Sequence, residues 1–266
     1  MLPGSVGADA QKDDDDPPGE RAMTDPRVRL RVGVATATAH RARNEDSALA
    51  TDGLYLVADG MGGHEAGEVA SRTAVDALRG LGAGTPTPAD VRSAVRAAHA
   101  AVRDLPVTTG RRPGTTVSGV VVTSHDDVPC WLVLNVGDSR TYRMAGGVLE
   151  QVTRDHSEVA ELVERGLVKA VDAAYHPRKN VVTRALGGAS SDVEPDVWLL
   201  PVSPGDRMLV CSDGLTDELS DARIQAALRA EGEAQPAADR LVADALAAGG
   251  RDNVTAIVVD AILSGR

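Results

Sequence analysis

Acidic residues stand where apolar runs of this chain stop or start. Asp59-Gly60 ends LYLVA, Asp138 ends CWLVLNVG, Asp213-Gly214 ends RMLVCS, and Asp252-Asn253 precedes VTAIVVD. Taken singly, each reads as a turn, because Asp-Gly tolerates positive φ; Asp52-Gly53, between SALAT and LYLVA, is read as a hairpin turn. Together they point to chemistry. A carboxylate at the end of a buried strand is rigid and half-desolvated, and several converging there repel one another unless cations sit between them. The donor set is all oxygen, without the His or Cys that zinc and copper prefer, which selects Mg²⁺ or Mn²⁺. Two such ions bind a water, lower its pKa and hold a phosphoryl oxygen. That is chemistry for hydrolysing a phosphate ester without a covalent intermediate.

The Gly-rich stretch DGMGGHEAGEVAS follows the first of these acids. It lacks GxxxxGK[ST] and contains no lysine, so it is not a phosphate-cradling loop of that kind. Its glycines let the backbone turn sharply, bringing a main-chain carbonyl to a metal beside Asp59. His64 lies in this loop; taken alone it reads as a surface histidine, but beside a metal pair it can donate a proton to a leaving alkoxide.

The elements that must position these residues read as strand blocks and helix pairs. RVRLRVGVATAT alternates, and GLYLVAD is a short apolar run, so both are expected strands. AGEVASRTAVDALRG and ADVRSAVRAAHAAVRDL carry apolar residues three and four apart, the helical spacing. TVSGVVVTS, CWLVLNVG, RTYRMA and VLEQVT form four successive strands, and SEVAELVERGLV is helical. DVWLLPV and RMLVCSDG return to strand, DARIQAALRAEG and PAADRLVADALAAG are helices, and VTAIVVDAIL closes as a strand. This is not a βαβ rhythm; it predicts an α+β domain of mainly antiparallel sheets with helices outside.

Composition narrows the partners. The 266 residues carry 28 basic and 39 acidic side chains, a net charge of −11, which argues against a nucleic-acid partner. With no Phe and 2% aromatic residues, Ala, Val and Leu have to fill the core. No apolar run approaches the ~18–20 residues needed to cross a bilayer. Residues 1–26 hold seven acids against Lys12 and Arg21, and predict a disordered acidic tail ahead of a domain over 27–266. No signal peptide is evident there, and Met23 is a second candidate start. Cys130 and Cys211 lie in strand-like runs and are read as reduced core thiols, which favours the cytoplasm.

The stretches HRARNEDS, LVADGMGGHEAGEVAS, PGTTVSGVVV, LNVGDSRTYR, LEQVTRDHS, HPRKNVVTRALG, MLVCSDGLTDELSD and GRDNVTAIVV occur in this order between about residues 28 and 262. In these the sequence resembles the bacterial metal-dependent Ser/Thr protein phosphatases of the PPM (type 2C) family. The resemblance implies a four-layer αββα sandwich with two central sheets and a metal cleft at one end. It implies that Asp59 bridges two metals, that the Gly60 carbonyl binds one, and that Asp213 and Asp252 complete the other's shell, partly through waters. Glu45 matches an acid that holds a metal-bound water, and Asp138 with Asp213 matches the pair that binds a third, weaker ion. Arg41, four residues before Glu45, matches the arginine that holds substrate phosphate, a task suited to a guanidinium fork. His64 matches the proposed general acid; Asn253 and Ser139 fall beside ligands as supports.

Ser157 to Arg184 corresponds to the family's flap near the cleft, with Arg178 and Lys179 expected to touch a peptide. Ligand positions match throughout, which argues against a dead pseudophosphatase, and the chain is expected to be without the linker, membrane helix and outer domain of some relatives. The expected enzyme is a cytoplasmic monomer that uses Mn²⁺ or Mg²⁺ to dephosphorylate phosphoserine and phosphothreonine in proteins, reversing Ser/Thr kinases, with no nucleic-acid or membrane partner. Three rivals stay open: a regulator acting on one antagonist of an anti-sigma factor, a phosphoprotein-binding module without turnover, and a small-molecule phosphohydrolase.

Overall fold

In the computed structural model, the described residues are 21–22, 28–51, 53–62, 65–107, 112–188 and 193–263. The chain runs β1 (Arg21–Ala22), β2 (Val28–Ala37), β3 (Asp46–Thr51) and β4 (Leu54–Met61), then helices α1 (Glu65–Leu78) and α2 (Pro88–Arg103). Strands β5 (Gly114–Thr115), β6 (Val117–His125), β7 (Val128–Val136), β8 (Arg140–Ala145) and β9 (Val148–Gln151) follow. Next come short helices α3 (Glu158–Glu164) and α4 (Ala170–Ala173), then β10 (Leu186–Gly187), β11 (Asp196–Pro201) and β12 (Arg207–Cys211). Helices α5 (Asp213–Thr216), α6 (Asp221–Ala230) and α7 (Ala234–Ala248) precede the last strand, β13 (Val254–Leu263). The acidic segment 1–26 lies outside the described residues except for Arg21 and Ala22, which pair with Leu30 and Arg29.

Two antiparallel sheets form the centre. One has the order β1-β2-β13-β12-β8-β9; the other has β10-β5-β4-β6-β7-β11, with β3 paired to β4. Strand alternation builds the layers, because successive side chains point to opposite faces. In β4, Leu54, Leu56 and Ala58 pack against α1 and α2, whereas Tyr55 and Val57 face the other sheet. In β12, Met208 and Val210 face inward while Leu209 and Cys211 pack under α5, α6 and α7. In β13, Ile257 and Val259 point inward and Ala256 and Val258 outward. The result is the four-layer αββα sandwich, an α+β fold, with both faces of each sheet covered. That explains why these strands read as continuous apolar runs.

Trp131, the largest fully buried side chain, fills the space between the sheets that Phe would otherwise occupy, and its Nε1–H donates to Asp206 at 3.1 Å. Both cysteines are free and buried, Cys130 on β7 and Cys211 on β12. Two elements depart from the sequence expectation. The helix expected over SEVAELVERGLV stops at Glu164: Gly166 N–H donates to Val163 O and Leu167 N–H to Leu162 O, a Schellman closure that needs the left-handed φ of +70° at Gly166. Asp213, expected within the strand run RMLVCSDG, lies beyond β12 and opens the single-turn helix α5. Among the described residues, no helix is long and apolar enough to cross a membrane.

Candidate active site

The two sheets bring their acids to one end of the sandwich. Asp59 sits near the end of β4, and Asp46, the first residue of β3, is its direct partner across the ladder. Asp138 lies in the turn between β7 and β8, Asp213 follows β12, and Asp252 precedes β13. Two hydroxyls of the first sheet reach across to β3: Ser212 Oγ donates to Asp46 Oδ2 at 2.8 Å and Thr255 Oγ1 donates to the same oxygen at 2.7 Å.

The carboxyls feel one another. Burial, then the charges of Asp46 and Asp213, hold Asp59 well above the usual carboxylate range. Burial pushes Asp46 up to about 7 despite its two hydroxyl donors, with the charges of Asp213 and Asp252 adding to the rise. Asp138 rises to about 8 through burial and then the charge of Asp213. Asp213 rises to about 6, chiefly by burial, although a hydrogen bond with Asp59 opposes the rise. A folded protein tolerates such crowding only by holding protons there or by holding cations.

The residues fit a divalent metal. Asp46 Oδ1 and Asp213 Oδ1 are buried and have no hydrogen-bond partner. They are carboxylate oxygens in a pocket already crowded with negative charge, the donor type that Mg²⁺ and Mn²⁺ prefer. Among the described residues, no three acidic, histidine or cysteine groups form a finished metal cage. Asp59 and Asp213 lie close enough to shift each other's titration, and water would have to supply much of any ion's shell.

Around these acids the backbone is packed to contact. Gly60 N–H donates to Glu45 O at 3.2 Å, and Ser71 Oγ on α1 donates to the same carbonyl at 2.6 Å. A Cβ on Gly60 would stand 2.1 Å from Gly67 O, so only glycine allows α1 and β4 to approach this closely. Asp59 N–H donates to Thr116 Oγ1 at 3.0 Å, and that hydroxyl pairs with Ser139 Oγ at 2.7 Å. Asn253 holds the loop before β3: its Oδ1 accepts from Glu45 N–H at 2.8 Å, while Nδ2 donates to Thr38 O and Arg43 O. Asn253 and Ser139 thus support the site through the backbone around Glu45 and Asp59.

Arg41 lies on the rim, where its Nη2 pairs with Asp252 Oδ2 at 2.5 Å and its Nε donates to Arg251 O at 3.3 Å. The residue expected to hold phosphate and one expected to hold metal are therefore in contact. Glu45 is half-buried, and its carboxylate lies over Gly67. His64 and Asp52 lie outside the described residues. In the 157–184 segment, Arg178 pairs with Glu158 at 2.5 Å, and Lys179 Nζ reaches Asp217 Oδ2 at 2.6 Å, at the end of α5.

Asp46 is the acid that the motif reading passes over in favour of its neighbour Glu45. A signal for it exists. Leu49 packs on the helix side of β3 and Ser47 bonds Ser71 of α1, so strand alternation turns Asp46 to the inter-sheet side, toward Asp59.

A two-sheet sandwich with buried carboxylates gathered at one end is the arrangement that the resemblance to the PPM class implies. The family described as "Protein phosphatase 2C" matches residues 27–254, and the chain belongs to it. The serine/threonine protein phosphatase PstP of Mycobacterium tuberculosis (strain CDC 1551 / Oshkosh) is 39% identical over 229 residues, 84% of this chain. The chain spans only 43% of that protein's length. The serine/threonine phosphatase stp of Listeria monocytogenes serovar 1/2a is 35% identical over 216 residues, covering 78% of this chain and 84% of that one. Among solved structures, the M. tuberculosis phosphatase PstP/Ppp matches with a TM-score of 0.80 at 38% identity, covering 87% of this chain and 98% of that one. The PstP catalytic domain in complex with two manganese ions matches at 0.78 and 37% identity, over 88% of this chain and 99% of that one.

Proposed function

We propose that this chain hydrolyses phosphoserine and phosphothreonine in proteins, opposing Ser/Thr kinases, at a centre that takes two Mn²⁺ or Mg²⁺ ions and a third, weaker one. The observation that carries this reading is the buried cluster of Asp46, Asp59, Asp138 and Asp213, with two carboxylate oxygens left without a partner. Bound there, the ions acidify a water and neutralise phosphoryl charge.

Asp59, the Gly60 carbonyl, Asp213 and Asp252 are the proposed holders of the two principal ions, and Asp138 with Asp213 of the third. Glu45 and Asp46 accept hydrogen bonds from the waters around them. Arg41 leaves Asp252 to grip two phosphate oxygens with its planar fork. His64 delivers the proton that the leaving serine or threonine oxygen requires. The catalytic domain is assigned to residues 27–266 with the acidic stretch 1–26 ahead of it. The monomer and the cytoplasm are its proposed state and place, the latter supported by the buried free thiols Cys130 and Cys211.

The test is hydrolysis of a phosphothreonine peptide by wild type and Asp213→Asn, in Mn²⁺ and in EDTA. Turnover that requires metal and is lost in the variant is the expected result. Tight phosphopeptide binding without turnover by folded, metal-loaded wild type overturns it.

A further inference from the structure

His156 does not enter the chemistry above, yet it joins two parts of the site that are distant in sequence. It is buried, with its side chain only 5% exposed. Its ring Nδ1 accepts from Gly137 N–H at 3.1 Å, and its own backbone N–H donates back to Gly137 O at 2.9 Å. Gly137 immediately precedes Asp138, the proposed ligand of the third ion. Because Nδ1 accepts, the ring proton of the neutral imidazole sits on Nε2. Nε2 lies 3.2 Å from Asp196 Oδ2, an ion-pair distance without a formed hydrogen bond.

The same residue stands at the base of the 157–184 segment. Thr183 N–H donates to His156 O at 2.8 Å, Glu158 N–H donates to Val181 O at 2.8 Å, and Ser157 and Val182 form an antiparallel bridge. The two ends of the segment are thus zipped together. Asp196 clamps both: its Oδ2 faces His156 on the incoming side and its Oδ1 accepts from Arg184 Nη1 on the outgoing side at 2.9 Å. Asp196 is itself fixed to the core, paired with Asn135 in the β11–β7 ladder. Asn135 Nδ2 then closes the circuit, donating to Gly137 O and to Arg154 O at 3.0 Å each.

We infer that His156 is a positioning residue: through Nδ1 it sets the Gly137–Asp138 turn, and through Nε2 it pins the base of the 157–184 segment to Asp196, so that segment and ion corner are held as one unit. The metal half of this inference rests on the proposed phosphatase reading; the hinge half does not. The two ring nitrogens can be deleted separately. An asparagine carbonyl reaches the Nδ1 position and keeps the bond to Gly137, whereas a glutamine amide reaches the Nε2 position and keeps the contact with Asp196.

The experiment compares wild type, His156→Asn, His156→Gln and Asp196→Ala by tryptic cleavage in EDTA at the exposed Arg165 and Lys169, and by calorimetric titration with Mn²⁺. Loss of one such polar contact corresponds to as much as about a tenfold effect. His156→Asn and Asp196→Ala, which removes the acceptor altogether, are expected to be cut within the segment up to about tenfold faster, with an unchanged Mn²⁺ isotherm. His156→Gln is expected to be cut at the wild-type rate and to bind Mn²⁺ about tenfold more weakly at its weakest site. Variants that shift both readouts together, or neither, overturn the assignment. Asp196→Ala keeps it testable if the His156 variants fail to fold, because wild-type cleavage in that protein overturns the hinge. Wild type that binds no Mn²⁺ overturns the metal half alone, and the cleavage comparison still decides the hinge.

Discussion

Replacing Asp213 with Asn is expected to stabilise the metal-free protein while destroying its activity. Burial lifts the Asp213 carboxyl from its ordinary 3.8 to about 6, with the charges of Asp217 and Asp252 adding to the rise and a hydrogen bond with Asp59 opposing it. A folded-state pKa above the unfolded one means that folding takes up a proton. The ionised carboxylate therefore costs stability at pH values above the folded pKa, and the cost fades as pH falls toward the unfolded one. A rise from 3.8 to about 6 corresponds to about 3 kcal/mol. Asparagine keeps the shape, removes the charge and can donate to Asp59. In a domain of this size each kcal/mol moves the Tm by about 2–4 °C, so the variant should melt about 6–12 °C above wild type in EDTA at about pH 8. The gap should narrow at about pH 5, where folded wild type carries the proton itself. Adding excess Mn²⁺ should raise the wild-type Tm and leave the variant nearly unmoved, while kcat on a phosphothreonine peptide falls by orders of magnitude. Differential scanning fluorimetry at the two pH values, with and without Mn²⁺, reads all of this. A variant that melts below wild type in EDTA at about pH 8, or a gap that does not narrow on acidification, would refute the crowded-carboxylate argument.

Metal binding should also depend on pH. Asp46 at about 7 and Asp138 at about 8 hold protons that an ion must displace. Mn²⁺ affinity should therefore climb between about pH 6 and pH 8 with measurable proton release, and calorimetry in buffers of different ionisation enthalpy checks it. Gly60→Ala should cost about 3 kcal/mol or more in urea unfolding of the metal-free protein. The new Cβ would stand 2.1 Å from Gly67 O and 2.6 Å from Glu45 O, both backbone atoms. Arg41→Lys should raise KM for the phosphopeptide about tenfold, because a point charge cannot replace a bidentate fork. Stability should change by less than about 1 kcal/mol, since the Arg41–Asp252 pair is half-exposed; steady-state kinetics and a thermal melt separate the two effects.

The strand blocks were legible because β4, β6, β7, β12 and β13 are apolar on both faces, and the long helices because they carry apolar residues three and four apart. What spacing alone does not carry is closure by backbone contact. The end of α3 depends on the turn at Gly166, and β5 and β10 are two-residue strands held by register. The site was legible as acids at strand ends, but seeing Asp46 beside Glu45 needs the face that each presents. That face follows from alternation once Leu49 and Ser47 are seen to lie against the helices. The role of His156 was out of reach, since its partners Gly137 and Asp196 lie 19 and 40 positions away.

Alternation also explains how an acid pocket can sit inside a hydrophobic sandwich. The inter-sheet layer is apolar in the middle, with Tyr55, Val57, Val120, Val210 and Ile257. Two residues further along the same strand faces, β4 presents Asp59, β6 presents Ser118, β12 leads to Ser212 and β13 presents Thr255. Ser118 pairs with Thr141 of the opposite sheet at 2.9 Å, and Ser212 and Thr255 donate to Asp46. A hydroxyl band thus lies between the core and the carboxylates. Each hydroxyl satisfies a neighbour across the sheets, so the polarity of the layer rises without stranding a buried group. An apolar layer running directly into Asp46 and Asp59 would leave their oxygens facing methyl groups, which favours protonation and blocks metal entry. The hydroxyls hold Asp46 by Oδ2 and leave its buried Oδ1 without a hydrogen-bond partner. The same band that joins the two sheets therefore leaves one oxygen of Asp46 unspent, as its proposed role toward the waters around the ions requires.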